Sequence, residues 1–265
     1  MISIFKVFFQ NIGKKTILFI KNLGIFGIFF YKVFSCMPKF PKCIKRLVYQ
    51  IYYVGVLSLP IILFSGLFIG MVMGVQGLTI LKKFNASQSL GQLVALSLVR
   101  ELGPVISALL FTGRAGTTLT AEISLMKATE QLSSMEIMGV NPIHRIASSR
   151  FIASQISLPL LSIIFMIVAI YGSYLIGVVL FGIDDGAFWS NMQSSIDLKK
   201  DVFNSILKSS VFGFFISWIA IYEGFYSKQT SDGINKATTK TVINSTIIVL
   251  FLDLLLTTIM FGDDL

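Results

Sequence analysis

Charged residues are scarce in this sequence, and that scarcity excludes an ordinary soluble protein. Asp, Glu, Lys and Arg together make up 13% of the 265 residues, roughly half the share typical of soluble domains. Hydrophobic residues make up 54%, and the mean hydropathy is +0.81. Because the apolar residues come in blocks of about 20 or more, the length that crosses a bilayer, the sequence predicts an all-α integral membrane protein.

Cysteine and histidine are nearly absent, which argues against metal sites and disulfide frameworks. The two cysteines, Cys36 and Cys43, lie in a lysine-rich stretch, and the one histidine, His144, is far from both along the chain. This spacing contains no CxxC and no zinc-ligand pattern. We therefore predict free thiols in a reducing compartment and no bound metal.

The motifs of nucleotide hydrolysis and of common membrane enzymes are also missing from the sequence. It contains no GxxxxGK[ST] phosphate-binding loop, no HExxH and no GxSxG, so neither ATP nor a scissile bond has an obvious site here. We predict that the chain binds no cofactor and is not an enzyme. A transport protein that takes its energy from another subunit remains possible.

The formal net charge of +9 points to membrane surfaces rather than to nucleic acid. Lysines and arginines gather at the ends of the apolar blocks, where they can meet anionic headgroups. Sixteen of the 22 fall on the side that carries the N-terminus. Because basic loops are retained in the cytoplasm, we predict a cytoplasmic N-terminus, an outer C-terminus and no nucleic-acid partner.

Five apolar blocks are long enough to span a bilayer. They cover residues 54–81, 93–118, 151–181, 203–226 and 242–261. No repeat or second domain is visible, so we predict one domain over 1–265, with an N-terminal segment 1–46 and a transmembrane bundle 47–265.

The N-terminal stretch "NLGIFGIFFYKVF" is apolar but short. Lys21 and Lys32 bracket only ten residues, about half of what a bilayer requires. Its flanking lysines favour an amphipathic helix lying in the membrane interface. A short sixth span is the alternative.

The first span carries two distinct faces. One consists of small residues at helical spacing, which lets another backbone approach closely. Its members are Gly66, Gly70, Gly74 and Gly77. The neighbour could belong to the same chain or to a second subunit. The adjoining face is apolar and could be a lipid-binding stripe or ordinary lipid-facing or core surface; it comprises Met73, Ile80, Leu81 and Phe84.

Three charged positions lie within or at the ends of spans, where ionisable groups are costly and mark functional sites. Arg100-Glu101, placed near the outer end of the second span, could face a substrate or simply reach the interface. Arg114 in "GRAG" favours a structural role, for example with Glu122 as its partner. Asp253 in the fifth span could be functional, although a helix-packing hydrogen bond is slightly favoured.

Between the second and third spans, residues 122–139 predict one amphipathic cytoplasmic helix. Gly139 and Pro142 are typical of a helix end. An apolar face on such a helix must be buried by the membrane surface or by a groove of a partner protein. The residues of interest are Glu122, Met126, Glu130, Leu132, Met135, Glu136 and Met138.

One long stretch reads "RELGPVISALLFTGRAGTTLTAEISLMKATEQLSSMEIMGVNPI". It resembles the signature of the MlaE family, permeases of ABC transporters that move phospholipids between the membranes of diderm bacteria. Further matching stretches are "GVLSLPIILFSGLFIGMVMGVQG", "GIDDGAFWSNMQ" and "TSDGINKATTKTV". The matching stretches are distributed from about residue 45 toward the C-terminus, so the resemblance extends over nearly the whole chain.

The resemblance implies a homodimer in the inner membrane with phospholipid as its substrate. A cytoplasmic ATPase would dock on the 122–139 segment as a coupling helix and hydrolyse the ATP. A STAS-domain protein would bind that ATPase, and a periplasmic ring of MCE-domain subunits would sit above. Lipid-contacting positions of the family fall on Met73, Ile80, Leu81, Phe84, Arg100 and Glu101.

Under this hypothesis the lipid cavity lies between the glycine-lined first spans of the two subunits. When the ATPases close, the coupling helices transmit that movement to the cavity. Residues 122–139, Gly139 and Met135 in particular, are then expected to be sensitive to bulky charge. A channel or scaffold without an ATPase is the alternative, and it predicts that charge on this segment is tolerated.

Overall fold

The computed structural model describes residue 17, residue 24, residues 27–29 and residues 44–261. Within these residues it confirms an all-α protein with five helices long and apolar enough to span a membrane. Each extends beyond its predicted block at one or both ends. Spans 1 to 5 cover Ile44–Lys83, Ser87–Ala128, Ile143–Leu180, Lys199–Tyr226 and Ser231–Met260.

Most spans are built from several helical segments. The α-helices are α1 (Ile44–Val54), α2 (Leu59–Lys83), α3 (Leu90–Ser97), α4 (Gly103–Phe111), α5 (Thr117–Ala128), α6 (Gln131–Ile137), α7 (Ser148–Tyr174), α8 (Asp185–Ser195), α9 (Leu198–Tyr226) and α10 (Ser231–Phe261). Short 3₁₀ turns, Val56–Ser58 and Ser87–Ser89, precede α2 and α3. We call the two ends of the bundle the α6 end and the α8 end, after the short helices that connect spans there.

Span 2 contains two π-helical turns, and each holds an arginine. Leu98–Leu102 separates α3 from α4, and Thr112–Gly116 separates α4 from α5. A π turn adds a residue to the helix and often marks a functional position. In span 2, Arg100 lies in the first π turn and Arg114 lies in the second.

Span 4 lies at the centre of the bundle, and span 5 lies at its edge. Of the most apolar window of span 4, 61% is buried, against 11% for span 5. The main core includes Leu98, Phe111, Phe165 and Phe212, so it joins spans 2, 3 and 4. A broad apolar surface is left on the outer spans for lipid or another protein.

On the glycine face of span 1, Gly66, Gly70 and Gly74 pack against span 3 of the same chain, and Gly77 packs against Leu90 of span 2. All four predicted glycines are buried. A Cβ on Gly70 would collide with the backbone of Ala169, and one on Gly66 would lie 3.2 Å from the carbonyl oxygen of Phe165. The geometry agrees with close packing on this face, and the neighbours are spans 3 and 2 of the same chain. The first span does not present this face to a cavity between subunits, so that part of the predicted mechanism is wrong.

We expect Gly70→Ala to destabilise the protein by about 2 kcal/mol or more, since the added methyl must push the two backbones apart. The measurement is the thermal unfolding midpoint of the purified protein in detergent. Gly113→Ala is the matched control, because a Cβ there meets nothing within 4 Å. Equal midpoints for the two variants would contradict the close approach of spans 1 and 3.

The prediction of one helix over 122–139 is wrong. Span 2 continues through Glu122 and Met126 to Ala128, and a separate helix, α6, begins at Gln131. Between them Glu130 adopts a left-handed conformation with φ of 59°, which breaks the helix. Glu122 and Met126 therefore belong to a transmembrane helix, and the short helix that connects spans 2 and 3 is α6 with its C-terminal turn.

The predicted interfacial segment 1–46 falls largely outside the described residues. Phe29, which is described, is buried. Its ring lies 5.5 Å from that of Trp218 and 5.9 Å from that of Tyr222, between ring centroids. This residue thus packs on the α6 half of span 4.

Candidate functional site

The predicted charge pair at Arg100-Glu101 separates in the structure. Arg100 turns toward span 4, where its Nε lies 3.0 Å from a carboxylate oxygen of Asp201, a side chain that is 1% exposed. Glu101, the next residue, is exposed. The arginine therefore joins two spans, and the glutamate is the more accessible of the two charges.

A buried lysine, Lys208, extends this polar network. Its Nζ donates to the Arg100 carbonyl oxygen at 3.0 Å and to Thr257 Oγ1 at 2.7 Å. In a regular helix that carbonyl would accept from the N–H of residue 104, which is missing in Pro104. Lys208 therefore supplies a donor where the sequence of span 2 removes one.

Asp253 of span 5 completes the network. Its carboxylate lies 3.7 Å from Lys208 Nζ, and the lysine side chain is fully buried. Lys208 lies ten residues into α9, about 15 Å along the helix. The interpretation of Asp253 as a helix-packing group agrees with this contact, and the network links spans 2, 4 and 5.

The apolar stripe of span 1 is only partly open. Ile80 and Phe84 are 52% and 76% exposed. Met73 is half-buried, and Leu81 packs against the main core. Of the four predicted lipid contacts, Ile80 and Phe84 thus offer the larger free surface, close to the α8 end.

Arg114 and Glu122 do not form the suggested pair; the structure gives each another partner. Arg114 Nη1 donates to the Tyr53 carbonyl oxygen at 2.7 Å and to Ser58 Oγ at 3.1 Å. Glu122 accepts from Arg150 Nη2 at 2.7 Å. These contacts tie span 2 to spans 1 and 3, so the structural interpretation of Arg114 fits the geometry.

Helix α6 has one face buried by its own chain. Leu132 is 7% exposed and Met135 packs beside it, in a cluster that includes Phe151 of span 3 and Trp218 of span 4. Part of the predicted apolar face is therefore already covered. A movement of α6 would reach spans 3 and 4 directly through this cluster.

The opposite face of α6 is free in the single chain. Each residue turns a helix by about 100°, so Ile137 points away from Leu132 and Met135. It is 88% exposed, and Met138 beside it is 69% exposed. The sequence prediction included Met138 but not Ile137, because it followed the helical spacing of Leu132 and Met135, which face inward. Glu130 and Glu136 are also exposed.

Gly139 ends α6 in the way its sequence predicts. Its φ of +74° is the left-handed conformation that favours glycine. The Val140 N–H donates to the Met135 carbonyl oxygen at 2.9 Å, and the Gly139 N–H donates to that of Glu136 at 2.9 Å. This arrangement is a Schellman motif. It fixes the direction in which Ile137 and Met138 project.

Five helices long and apolar enough to span a membrane, joined by a buried polar network, define a multi-pass membrane protein. The family model described as Permease MlaE matches residues 47–259. The chain belongs to the MlaE permease family.

Three relatives illustrate the range of the similarity. The chain is 51% identical over 255 residues to the "Intermembrane phospholipid transport system permease protein MlaE" of Haemophilus influenzae, covering 96% of this chain and 98% of that protein. It is 35% identical to a "Probable ABC transporter permease protein" of Rickettsia typhi, over 94% and 96% of the two chains. A protein of Synechocystis with the same descriptive name is 32% identical over 80% of each chain.

Proposed function

We propose that this chain is the membrane subunit of an ABC transporter that moves phospholipids between the inner and outer membranes. Its sequence contains no GxxxxGK[ST] motif, and a separate cytoplasmic ATPase would supply the energy. The α6 end would face the cytoplasm, and the α8 end and the C-terminus would face the periplasm. The 51% identity to a protein named for intermembrane phospholipid transport supports this substrate class.

The outward face of α6 is the observation that carries the proposal. Helix α6 exposes Ile137 and Met138 on one face and is anchored to its own chain by Leu132 on the other. Such a short helix can insert its exposed face into an apolar groove of a partner protein. ATP-driven closure of that partner would push on α6. The push would pass through the buried cluster to spans 3 and 4.

Lipid would bind at the α8 half of the molecule. Ile80 and Phe84 offer an exposed apolar surface for acyl chains, and Glu101 offers an exposed charge for a headgroup. Arg100 would act mainly by holding span 4 in place through Asp201, with the 29% of its side chain that is exposed available to a phosphate.

The remaining partners follow from the same proposal. A second copy of the chain would form the other wall of the lipid cavity. A STAS-domain protein would bind the ATPase, and a ring of MCE-domain subunits would receive or deliver lipid at the periplasmic face. The exposed apolar side chains of spans 1 and 5, such as Phe68 and Leu254, offer surface for such contacts.

Affinity purification of the tagged full-length chain from native membranes in mild detergent tests the assembly. We expect an ATPase and an MCE-domain protein to co-purify in a fixed ratio. If the chain is recovered without an ATPase in several detergents, the transporter assignment fails. A channel or scaffold then becomes the better account.

A further inference from the structure

A pocket lined by basic residues lies at the α6 end, between the start of span 1 and the start of span 3. Its cavity volume is about 320 Å³. Four of its described lining residues are cationic and none is acidic. The cations are Lys45, Arg46, Arg145 and Arg150. We call this cavity the basic pocket.

The innermost cation of the basic pocket has unused hydrogen-bonding capacity. Arg150 is 5% exposed, and its Nη2 is engaged by Glu122 at 2.7 Å. Its Nε is buried and has no hydrogen-bond partner among the described residues. A buried donor left in this way costs free energy, and a phosphate oxygen would satisfy it with a charge-assisted bond.

A second unpartnered atom lines the same cavity. The Oε1 atom of Gln50 is buried and accepts no hydrogen bond from the described part of the chain. It is an acceptor, so it would take a hydroxyl or ammonium donor. A ligand that fits both atoms combines a phosphate with a nearby donor group, as a glycerophospholipid headgroup does.

The surroundings of the pocket favour a lipid over a free anion. Helix α1 carries Val48, Tyr49 and Tyr52 with 59%, 63% and 54% exposure, and Tyr49 lines the pocket. These side chains lie beside the cations at the beginning of a membrane span. Acyl chains could therefore run along α1 while the phosphate occupies the pocket, where basic residues attract anionic lipid.

We propose that the basic pocket binds the headgroup phosphate of an anionic phospholipid in the leaflet at the α6 end. This lipid is a resident one, separate from transported lipid. Glu122, which holds Arg150, follows Arg100 by 22 residues along span 2, roughly 30 Å along the helix. The pocket is thus far from the apolar stripe and the polar network.

The test measures binding of phosphatidylglycerol in mixed micelles to the full-length protein by native mass spectrometry. Lys45→Gln/Arg145→Gln removes two exposed cations from the pocket and leaves the Arg150–Glu122 pair intact. Lys228→Gln/Lys240→Gln is the matched control, since it removes two exposed lysines elsewhere at the α6 end. We expect the pocket variant to bind phosphatidylglycerol roughly tenfold more weakly, while the control retains the affinity of the unaltered protein.

Two outcomes would overturn the proposal. Equal weakening in both double variants would show diffuse attraction to a basic surface in place of a site. Displacement of phosphatidylglycerol by excess inorganic phosphate would assign the pocket to a free anion. The measurement needs neither the ATPase nor transport, so a negative result here leaves the proposed function standing.

Discussion

Ile137→Asp is expected to release the proposed ATPase partner from this permease. The side chain is 88% exposed and lies on the face of α6 opposite its own packing contacts. Apolar anchors at the centre of protein interfaces are worth about 2 kcal/mol or more, so association should weaken at least roughly tenfold. The checks are the amount of ATPase that co-purifies and the ATP hydrolysis of the recovered complex.

Controls separate this effect from misfolding and from charge alone. Gln229→Asp places the same charge at an exposed position in the connection between spans 4 and 5, and it should leave association intact. Ile137→Leu keeps the apolar surface and should behave like the unaltered protein. Full ATPase recovery with Ile137→Asp would exclude α6 as the docking element.

Charge at Met135 is a less informative test than sequence reasoning suggested. Met135 packs against the buried cluster that joins α6 to spans 3 and 4. A charged residue there would disturb the fold of the chain itself, because a buried charge is costly without a partner. Loss of the ATPase in such a variant would not distinguish docking from folding.

Lys208→Met is expected to cause the largest loss of stability. The lysine is fully buried and contacts Asp253, Thr257 and the Arg100 carbonyl oxygen. Removing one partner of a buried ion pair leaves the other charge uncompensated and typically costs about 3–5 kcal/mol. The measurement is the free energy of unfolding in detergent micelles.

A double variant and a surface variant complete this test. Lys208→Met/Asp253→Asn removes both charges and should recover part of the loss, as a double-mutant cycle can quantify. Lys199→Met makes the same substitution at an exposed position near the start of the same helix and should be nearly neutral. If the Lys208→Met protein were as stable as the Lys199→Met protein, the network across spans 2, 4 and 5 would not contribute to the free energy of unfolding.

The number of spans and the glycine face could be predicted from sequence because both depend on local periodicity. Blocks of apolar residues reveal spans whatever their neighbours are. The spacing of Gly66 and Gly70 likewise predicts that another helix packs closely against span 1. It does not indicate which helix that is. Only the fold shows that span 3 of the same chain packs against Gly66 and Gly70.

The break at Glu130 could not be predicted, because a non-glycine residue in a left-handed conformation has no local sequence signal. Acidic and apolar residues continue across it with helical spacing. The exposure of Ile137 depends on which side of α6 packs against the helix bundle, and the local sequence does not determine that side. The partners of Arg114 and Lys208 are likewise long-range contacts, with Tyr53 and Asp253 on other spans.

The most direct test of the central claim is ATP-dependent transfer of labelled phospholipid between two vesicle populations by the purified complex of this permease and its proposed ATPase. We expect transfer that requires ATP and that is lost with Ile137→Asp, although the permease itself remains folded. Transfer at the same rate without ATP, or no transfer by an intact complex that hydrolyses ATP, would contradict the account.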